Sequence, residues 1–132
     1  MDHRTLMGIF LAAAVTLQLS GTYKLESPRV GEGSVSMTFS ATVTNHGALP
    51  VTGPILLRHP NTTSKVWARF PDTKIDAGQS VTISDSVTVP RDIYDSWLSG
   101  GAPAVFINAR DKSGSVTMFR IPLSASAAAP AN

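Results

Sequence analysis

The sequence predicts an all-β protein in which two antiparallel sheets of about seven strands in total pack face to face. Three observations support this fold class. Apolar and hydroxyl side chains alternate with a period of two along most of the chain after Val15. Groups of Gly, Pro, Asn and Asp interrupt the alternation at the spacing of strands and turns. Only 15% of the residues are charged, whereas surface helices are usually rich in Glu and Lys.

Residues 1–14 precede the alternating pattern and form a short apolar segment. A polar start containing Arg4 leads into the apolar residues 6–14, and residues 12–14 offer an Ala-x-Ala cleavage site, which is typical of a secretory signal peptide. The apolar stretch is shorter than the roughly 20 residues that a membrane-spanning helix needs. The alternatives are a retained anchor or docking helix, or an ordinary core helix. The candidate residues for docking to a membrane or partner are Leu6, Ile9, Phe10 and Leu11.

Two strands are predicted first, over residues 15–25 and 34–44. Gly21 interrupts the first strand and indicates a bulge or a close backbone approach. Ser27 and Pro28 are expected to end that strand. The second strand has an apolar face and a face of hydroxyl groups, which is the pattern of an antiparallel sheet with one side in water. Asn45 and Gly47 then predict a turn, since both residue types tolerate positive φ.

Three further strands are predicted over residues 51–59, 66–70 and 81–89. Pro71 and Asp72 are expected to end the middle one. Asp85 lies at an otherwise apolar position of the last, which indicates a bulge or a strand end. A short helix follows at about residues 90–98, because Pro90 suits a first turn and Gly100 suits the position after a helix.

Two closing strands are predicted over residues 104–110 and 116–123, joined by a hairpin turn. The residues from 124 to 132 are rich in Ala, Ser and Pro, and we expect a flexible tail. The predicted organisation is therefore a leader or anchor at 1–14, one sandwich domain at 15–123, and the tail.

Two turn motifs stand out: residues 43–51 read V-x-N-x-G-x-x-P-V, and residues 75–81 read I-x-A-G-x-S-x. They resemble the turns of bacterial and archaeal immunoglobulin-like domains, including CARDB-type and fibronectin type III domains. Val89 and Pro90, followed by Tyr94 and Trp97, are similar to water-stress and late-embryogenesis sandwich domains. The resemblance implies an immunoglobulin-like sandwich that serves for display, spacing or binding, usually without catalysis. It transfers no functional residue to this chain.

The sequence offers no pattern typical of catalysis or of cofactor binding. The chain has no cysteine, which excludes disulfides, thiolate metal sites and cysteine nucleophiles. The three histidines are scattered, and the acidic residues match neither a calcium loop nor a paired-carboxylate site. The net charge is +2 and no run of basic residues occurs, so the sequence predicts no basic surface for binding nucleic acid. We therefore expect no enzyme activity, no cofactor, no metal and no nucleic-acid partner.

Trp67 is the main candidate for contacting a partner or ligand. It alternates onto the same strand face as Lys65 and Arg69, opposite the apolar positions, so an exposed Trp flanked by basic residues is predicted. The alternative is that Trp67 packs beneath the loop at residue 61 or in the core. The candidate contact residues are Trp67, Arg69 and Tyr23.

These observations favour a non-catalytic structural or accessory module of a cell-envelope assembly, with protein partners outside the cytoplasmic membrane. The expected location is periplasmic or secreted, with membrane association through residues 1–14 as a further expectation. Two alternatives remain open: a module that binds carbohydrate or another ligand through Trp67, and a structural subunit of a virion or pilus.

Overall fold

The computed structural model describes residues 18–111 and 113–126 of the 132-residue chain. Over these residues the fold is a two-sheet β-sandwich of eight strands with one short helix, which confirms the predicted all-β class. The strands are β1 Leu19–Val30, β2 Ser34–Asn45, β3 Val51–Arg58, β4 Val66–Ile75, β5 Ser80–Pro90, β6 Val105–Arg110, β7 Val116–Arg120 and β8 Leu123–Ala125, and the helix is α1 Arg91–Leu98.

Each sheet contains four strands. Sheet A has the order β5-β2-β1-β8 and sheet B has the order β4-β3-β6-β7. Strand β8 pairs with β1 in parallel, and every other neighbouring pair is antiparallel. The predicted leader segment lies outside the described residues.

The core lies between the two sheets and is built from the inward positions of the central strands. Phe39 of β2 is fully buried, and its ring stacks on that of Tyr23 with centroids 6.5 Å apart. Ile55 and Leu57 of β3 and Ile107 of β6 supply the facing side from sheet B and are also fully buried. The two-residue alternation thus separates a dry side from a wet side on each central strand.

The outer face of sheet A is a ladder of hydroxyl groups, as the sequence predicts for β2. Every outward position of β2 from 34 to 44 and of β5 from 80 to 88 is Ser or Thr. Neighbouring hydroxyls bond across the two strands, with oxygen–oxygen distances of 2.6–3.0 Å. The four bonded pairs are Ser36–Thr88, Ser40–Ser84, Thr42–Thr82 and Thr44–Ser80.

Two strands continue through prolines that the sequence predicts as strand ends. Strand β1 passes Ser27 and Pro28 through a shift of register, with Ser27 at a φ of 54°, and reaches Val30. Strand β4 passes Pro71 and Asp72 in the same way and reaches Ile75. A bulge tolerates proline because the extra residue does not need to donate a hydrogen bond to the neighbouring strand.

Asp85 causes no bulge, contrary to the prediction. It pairs with Phe39 in an uninterrupted register between β2 and β5, and its side chain is exposed. Strand β5 is an edge strand, so an inward position can still reach water. A charge at such a position opposes the addition of a further strand at that edge.

The last predicted strand is in fact two strands in different sheets. Strand β7 ends at Arg120 in sheet B, and the chain crosses through Ile121 and Pro122 to β8 in sheet A. The Gly21 N–H donates to the Pro122 carbonyl oxygen at 3.0 Å, which anchors the crossing. Strand pairing extends to Ala125, into the segment that the sequence predicts as a flexible tail.

The helix is confirmed close to its predicted bounds, and it links β5 of sheet A to β6 of sheet B. Trp97 is its buried residue, and Ile93 and Tyr94 pack partly buried against the core. Gly100 follows the helix with a φ of 111°, a conformation that glycine adopts without strain.

Gly21 meets the predicted close approach between backbones. A Cβ built on Gly21 would lie 2.2 Å from the Thr42 carbonyl oxygen of the neighbouring strand. We expect Gly21→Ala to lower the free energy of unfolding by about 2 kcal/mol, because backbone atoms must shift to admit the methyl group. Urea denaturation measures the change. Gly33→Ala is the matched control, because nothing lies within 4 Å of its Cβ position; equal effects at both glycines would contradict the steric explanation.

Candidate functional site

The structure separates the three predicted contact residues. Arg69 is exposed on β4, as expected, and Trp67 is half-buried beside it. Tyr23 lies on the other sheet with only 9% of its surface exposed, stacked against Phe39 in the core. Tyr23 is therefore a core residue that lies apart from Trp67 and Arg69. The candidate docking residues Leu6, Ile9, Phe10 and Leu11 lie outside the described residues.

Trp67 is half-buried because a bulge displaces it from the regular alternation. The register of β4 against β3 shifts at this point: Ala68 pairs with Leu57, but Val66 pairs with Arg58. Trp67 consequently packs partly against the core, and its indole Nε1 is buried without a hydrogen-bond partner. Both predicted environments, exposed face and packed interior, thus apply to parts of this side chain.

A groove of about 630 Å³ opens beside Trp67, at the edge where β4 and β5 face each other. Its polar side chains are Thr63 and Ser64 from the loop before β4, Arg69 from sheet B and Asp85 from sheet A. Oppositely charged groups thus face one groove whose wall includes an indole ring.

The outer face of sheet B differs sharply from the hydroxyl ladder of sheet A. One row of neighbouring residues runs across all four strands, because Leu56 pairs with both Arg69 and Phe106, and Phe106 pairs with Arg120. The row places two apolar side chains in the centre and an exposed arginine on each edge strand. In the next row, Met118 of β7 is 42% exposed beside Asn108.

Arg58 lies over this apolar centre and is held firmly in place. Its guanidinium carbon lies 3.7 Å from the centroid of the Phe106 ring. Nη1 donates to the carbonyl oxygens of His59 and Thr62 at 2.9 and 3.0 Å, and Nη2 lies 3.3 Å from Met118 Sδ. Only 7% of the residue is exposed, and its Nε is buried without a partner. Burial of a cation is unfavourable unless charge or hydrogen bonds compensate it.

No carboxylate of the described residues forms an ion pair with Arg58, Arg69 or Arg120. The neighbouring Arg110 differs, since it forms a two-point ion pair with Asp72. We define the arginine face as the outer surface of sheet B formed by Leu56, Arg58, Arg69, Phe106, Met118 and Arg120. It combines apolar area with three positive charges that form no ion pair within residues 18–111 and 113–126.

Two carboxylates, those of Asp72 and Asp111, are stabilised in their charged form. The hydrogen bond from Arg110 lowers the pKa of Asp72, and that from the Ser113 hydroxyl lowers the pKa of Asp111, assisted by backbone N–H groups. Acids with a depressed pKa contribute stability above their ordinary value of 3.8, and this contribution disappears as the pH falls through the lower, folded value. We expect carbon-13 NMR titration of the side-chain carboxyls to place both midpoints below 3.8.

Arg110→Gln provides the control for this titration. Without the guanidinium, the midpoint of Asp72 should return toward its ordinary value, while that of Asp111, whose partners are Ser113 and Ser115, should remain low. An unchanged Asp72 midpoint in the variant would show that Arg110 is not the cause.

A larger cleft of about 1060 Å³ lies at the end of the sandwich beside the turn between β2 and β3. Leu19, Val51 and Phe119 line its floor, and His46 and Arg110 lie among its polar lining residues. The His46 ring is hydrogen-bonded to the Ser20 hydroxyl at 2.8 Å.

Across residues 18–111 and 113–126, no group of three His, Asp or Glu side chains is placed to hold a metal ion. The helix in that part of the chain falls short of the length and apolar character needed to cross a membrane.

Of the residues in the arginine face, only Arg69 is predicted from the sequence as a contact residue. Leu56 and Arg58 sit in β3, where the run Ile55–Leu56–Leu57 hides the alternation that would assign one residue to each face. Phe106 and Arg120 belong to different strands, and only the register across β6 and β7 brings them together. The available signal was the alternation that places Arg69 and Arg120 opposite the apolar positions of their own strands.

Comparison with known proteins assigns no family to this chain. No protein-family model matches the chain, and no curated protein matches it. Among solved structures, a β-glucosidase from Kluyveromyces marxianus is similar over 79% of this chain and 14% of its own, with 11% identity and a TM-score of 0.26. This chain therefore corresponds to a small part of that enzyme's length, and a score this low relates neither fold nor activity.

Proposed function

We propose that this protein is a non-catalytic structural or accessory module of a cell-envelope assembly, and that it contacts a protein partner outside the cytoplasmic membrane. The observation that carries the proposal is the arginine face. Aromatic residues, Met and Arg are the residue types enriched at protein interfaces, whereas Lys and Glu are depleted there. The arginine face has this composition, and the hydroxyl ladder on the opposite side of the sandwich does not.

The proposed compartment rests on the sequence. Residues 1–14 resemble a secretory leader, and an immunoglobulin-like sandwich without cysteine folds independently of the redox state of its surroundings. The resemblance of the two turn motifs to adhesion-related domains supports the same setting. Intact-mass measurement of the native protein tests the leader. If the chain is cleaved near residue 14, the measured mass should be lower than that of the full chain by the mass of the residues removed.

Site-specific photo-crosslinking in the native cells tests the partner. A benzophenone amino acid placed at Met118, on the arginine face, should give a discrete protein adduct that protease added outside the cytoplasmic membrane can reach. The same group at Thr82, on the hydroxyl ladder, is the matched control and should give none. Absence of any protein adduct from position 118, or an adduct formed only in the cytoplasm, would overturn the proposal.

A ligand-binding module is the second candidate, favoured by the groove beside Trp67. An indole wall together with Arg69 and Asp85 provides both stacking and hydrogen bonding for a glycan. Glycan binding should then change the fluorescence of Trp67 and should be lost in Asp85→Ala, while a Trp97→Phe variant keeps the response. A response that survives Asp85→Ala would exclude the groove.

A further inference from the structure

We infer that the arginine face receives an amphipathic helix of the partner, whose apolar stripe is bordered on both sides by carboxylates. This inference rests on the proposed function and adds to it the chemistry and shape of the segment that binds. It is built from three properties of the face: its width, its apolar centre, and its cations without ion pairs among the described residues.

The width of the face suits one helix. Arg69 and Arg120 lie in one row on the two edge strands of sheet B, three strand spacings apart, or about 14 Å. An α-helix with its side chains is about 10–12 Å across. A helix lying over β3 and β6 would therefore have Arg69 along one flank and Arg120 along the other.

The apolar centre is partly covered and partly exposed. Leu56 is 7% exposed and Phe106 is half-buried beneath the Arg58 guanidinium, whereas the flanking arginines are exposed on the edge strands. Met118, at 42% exposed, adds an adaptable apolar side chain that the apolar stripe of a helix can cover.

The cations determine the charge of the partner. A helix that covers Arg58, Arg69 and Arg120 removes water from charges that form no ion pair with a carboxylate of the described residues. Covering them is favourable only if the partner supplies the anions. Arginine presents a planar fork of donors that matches a carboxylate at two points, and side-chain carboxylates bordering an apolar stripe provide this geometry.

Arg58 would contact the helix differently from the two edge arginines. Its Nη atoms already have partners, and its Nε is buried on the same face. It therefore acts mainly as a fixed positive charge beneath the helix, held against Phe106. The edge arginines are free to form the two-point contacts, so they are the residues to vary.

The test uses the full-length protein and a designed 18-residue helical peptide. The peptide carries Leu at i, i+3, i+4 and i+7 positions and Glu on both margins of that stripe, and a second peptide carries Lys in place of each Glu. Nitrogen-15 NMR spectra should show the Glu peptide perturbing residues of β3, β6 and β7 on their outer side. The Lys peptide should leave these signals unchanged.

Charge reversal provides the decisive comparison. The double variant Arg69→Glu/Arg120→Glu should bind the Glu peptide at least tenfold more weakly and should gain binding to the Lys peptide. The matched control Lys24→Glu/Arg29→Glu makes the same change of net charge on β1 of sheet A, and it should bind the Glu peptide as the native protein does. Thermal melting of both variants verifies that the sandwich is intact.

Four outcomes would overturn the inference. The first is Glu-peptide binding that survives reversal of Arg69 and Arg120, and the second is perturbation confined to residues outside sheet B. The third is binding to vesicles containing anionic phosphatidylglycerol that depends on the same two arginines while the Glu peptide fails to bind, which would identify a lipid surface instead. Failure of the peptide together with a persistent protein adduct at position 118 would reject the helix and leave the proposed function standing.

Discussion

Asn45→Asp is expected to lower the free energy of unfolding by about 3–4 kcal/mol at neutral pH. Asn45 is fully buried at the end of β2, and all its polar atoms are used. Its Nδ2 donates to the carbonyl oxygens of Leu49 and Ile75 at 2.8 and 2.9 Å, and its Oδ1 accepts from the Gly47 N–H at 2.8 Å. A carboxylate at this position would still accept from the Gly47 N–H, but it would direct its other oxygen at two carbonyl oxygens.

The loss should depend on pH in a defined direction. Burial and the facing carbonyls would raise the pKa of the introduced carboxyl above the value of about 3.9 that it has in the unfolded chain. The folded state would then bind the proton more tightly, so stability falls as the pH rises above about 4 and recovers on acidification. Urea denaturation across pH 3–8 measures this trend.

Asn45→Ala separates hydrogen bonding from charge. It removes the same bonds and should destabilise the sandwich by about 2–3 kcal/mol, with the pH dependence of the native protein. If the Asp and Ala variants follow the same pH profile, then charge does not contribute, and the amide must act only through its hydrogen bonds.

Phe39→Ala is expected to cost about 3–5 kcal/mol, a large part of the stability of a domain of this size. Phe39 lies in the middle of β2 and has no exposed surface, and its ring stacks on Tyr23. Removing the ring leaves a cavity between the sheets that fixed backbones on both sides cannot close.

The size of the cavity should determine the effect. Phe39→Leu retains most of the buried volume, so its cost should be roughly half of that of the Ala variant. Equilibrium unfolding in urea, monitored by the fluorescence of Trp67 and Trp97, measures both. A loss below about 1 kcal/mol for Phe39→Ala would contradict the central position of this ring in the core.

The turn after β2 shows what a motif indicates and what it leaves undetermined. Asn45 and Gly47 were expected to provide positive φ, but neither does so in the structure. Asn45 instead uses its amide to tie β2 to β4, and Gly47 is small because a Cβ there would lie 2.9 Å from the Gln18 side chain. The sequence predicts the position of the turn, whereas the contacts that explain its residues come from segments distant along the chain.

Pro28 and Pro71 likewise show that a local sequence pattern does not determine the length of a strand. Pro28 and Pro71 were expected to end their strands, because proline lacks the N–H that a regular ladder requires. Both instead lie at shifts of register, where one residue has no partner. Whether a proline ends a strand or makes a bulge depends on the neighbouring strand, which a local pattern does not contain.

By itself, the sequence determined the fold class, the wet face of sheet A and the helix near residues 90–98, because these features depend on alternation and helix-end signals within a few neighbouring residues. The tertiary structure alone decided the strand order, the move of the chain from β7 to β8 between sheets, the burial of Tyr23 and the arginine face. Each of these depends on which strands lie side by side and in what register. That pairing is set by packing the whole core, and it joins residues as distant as Arg69 and Arg120 into one surface.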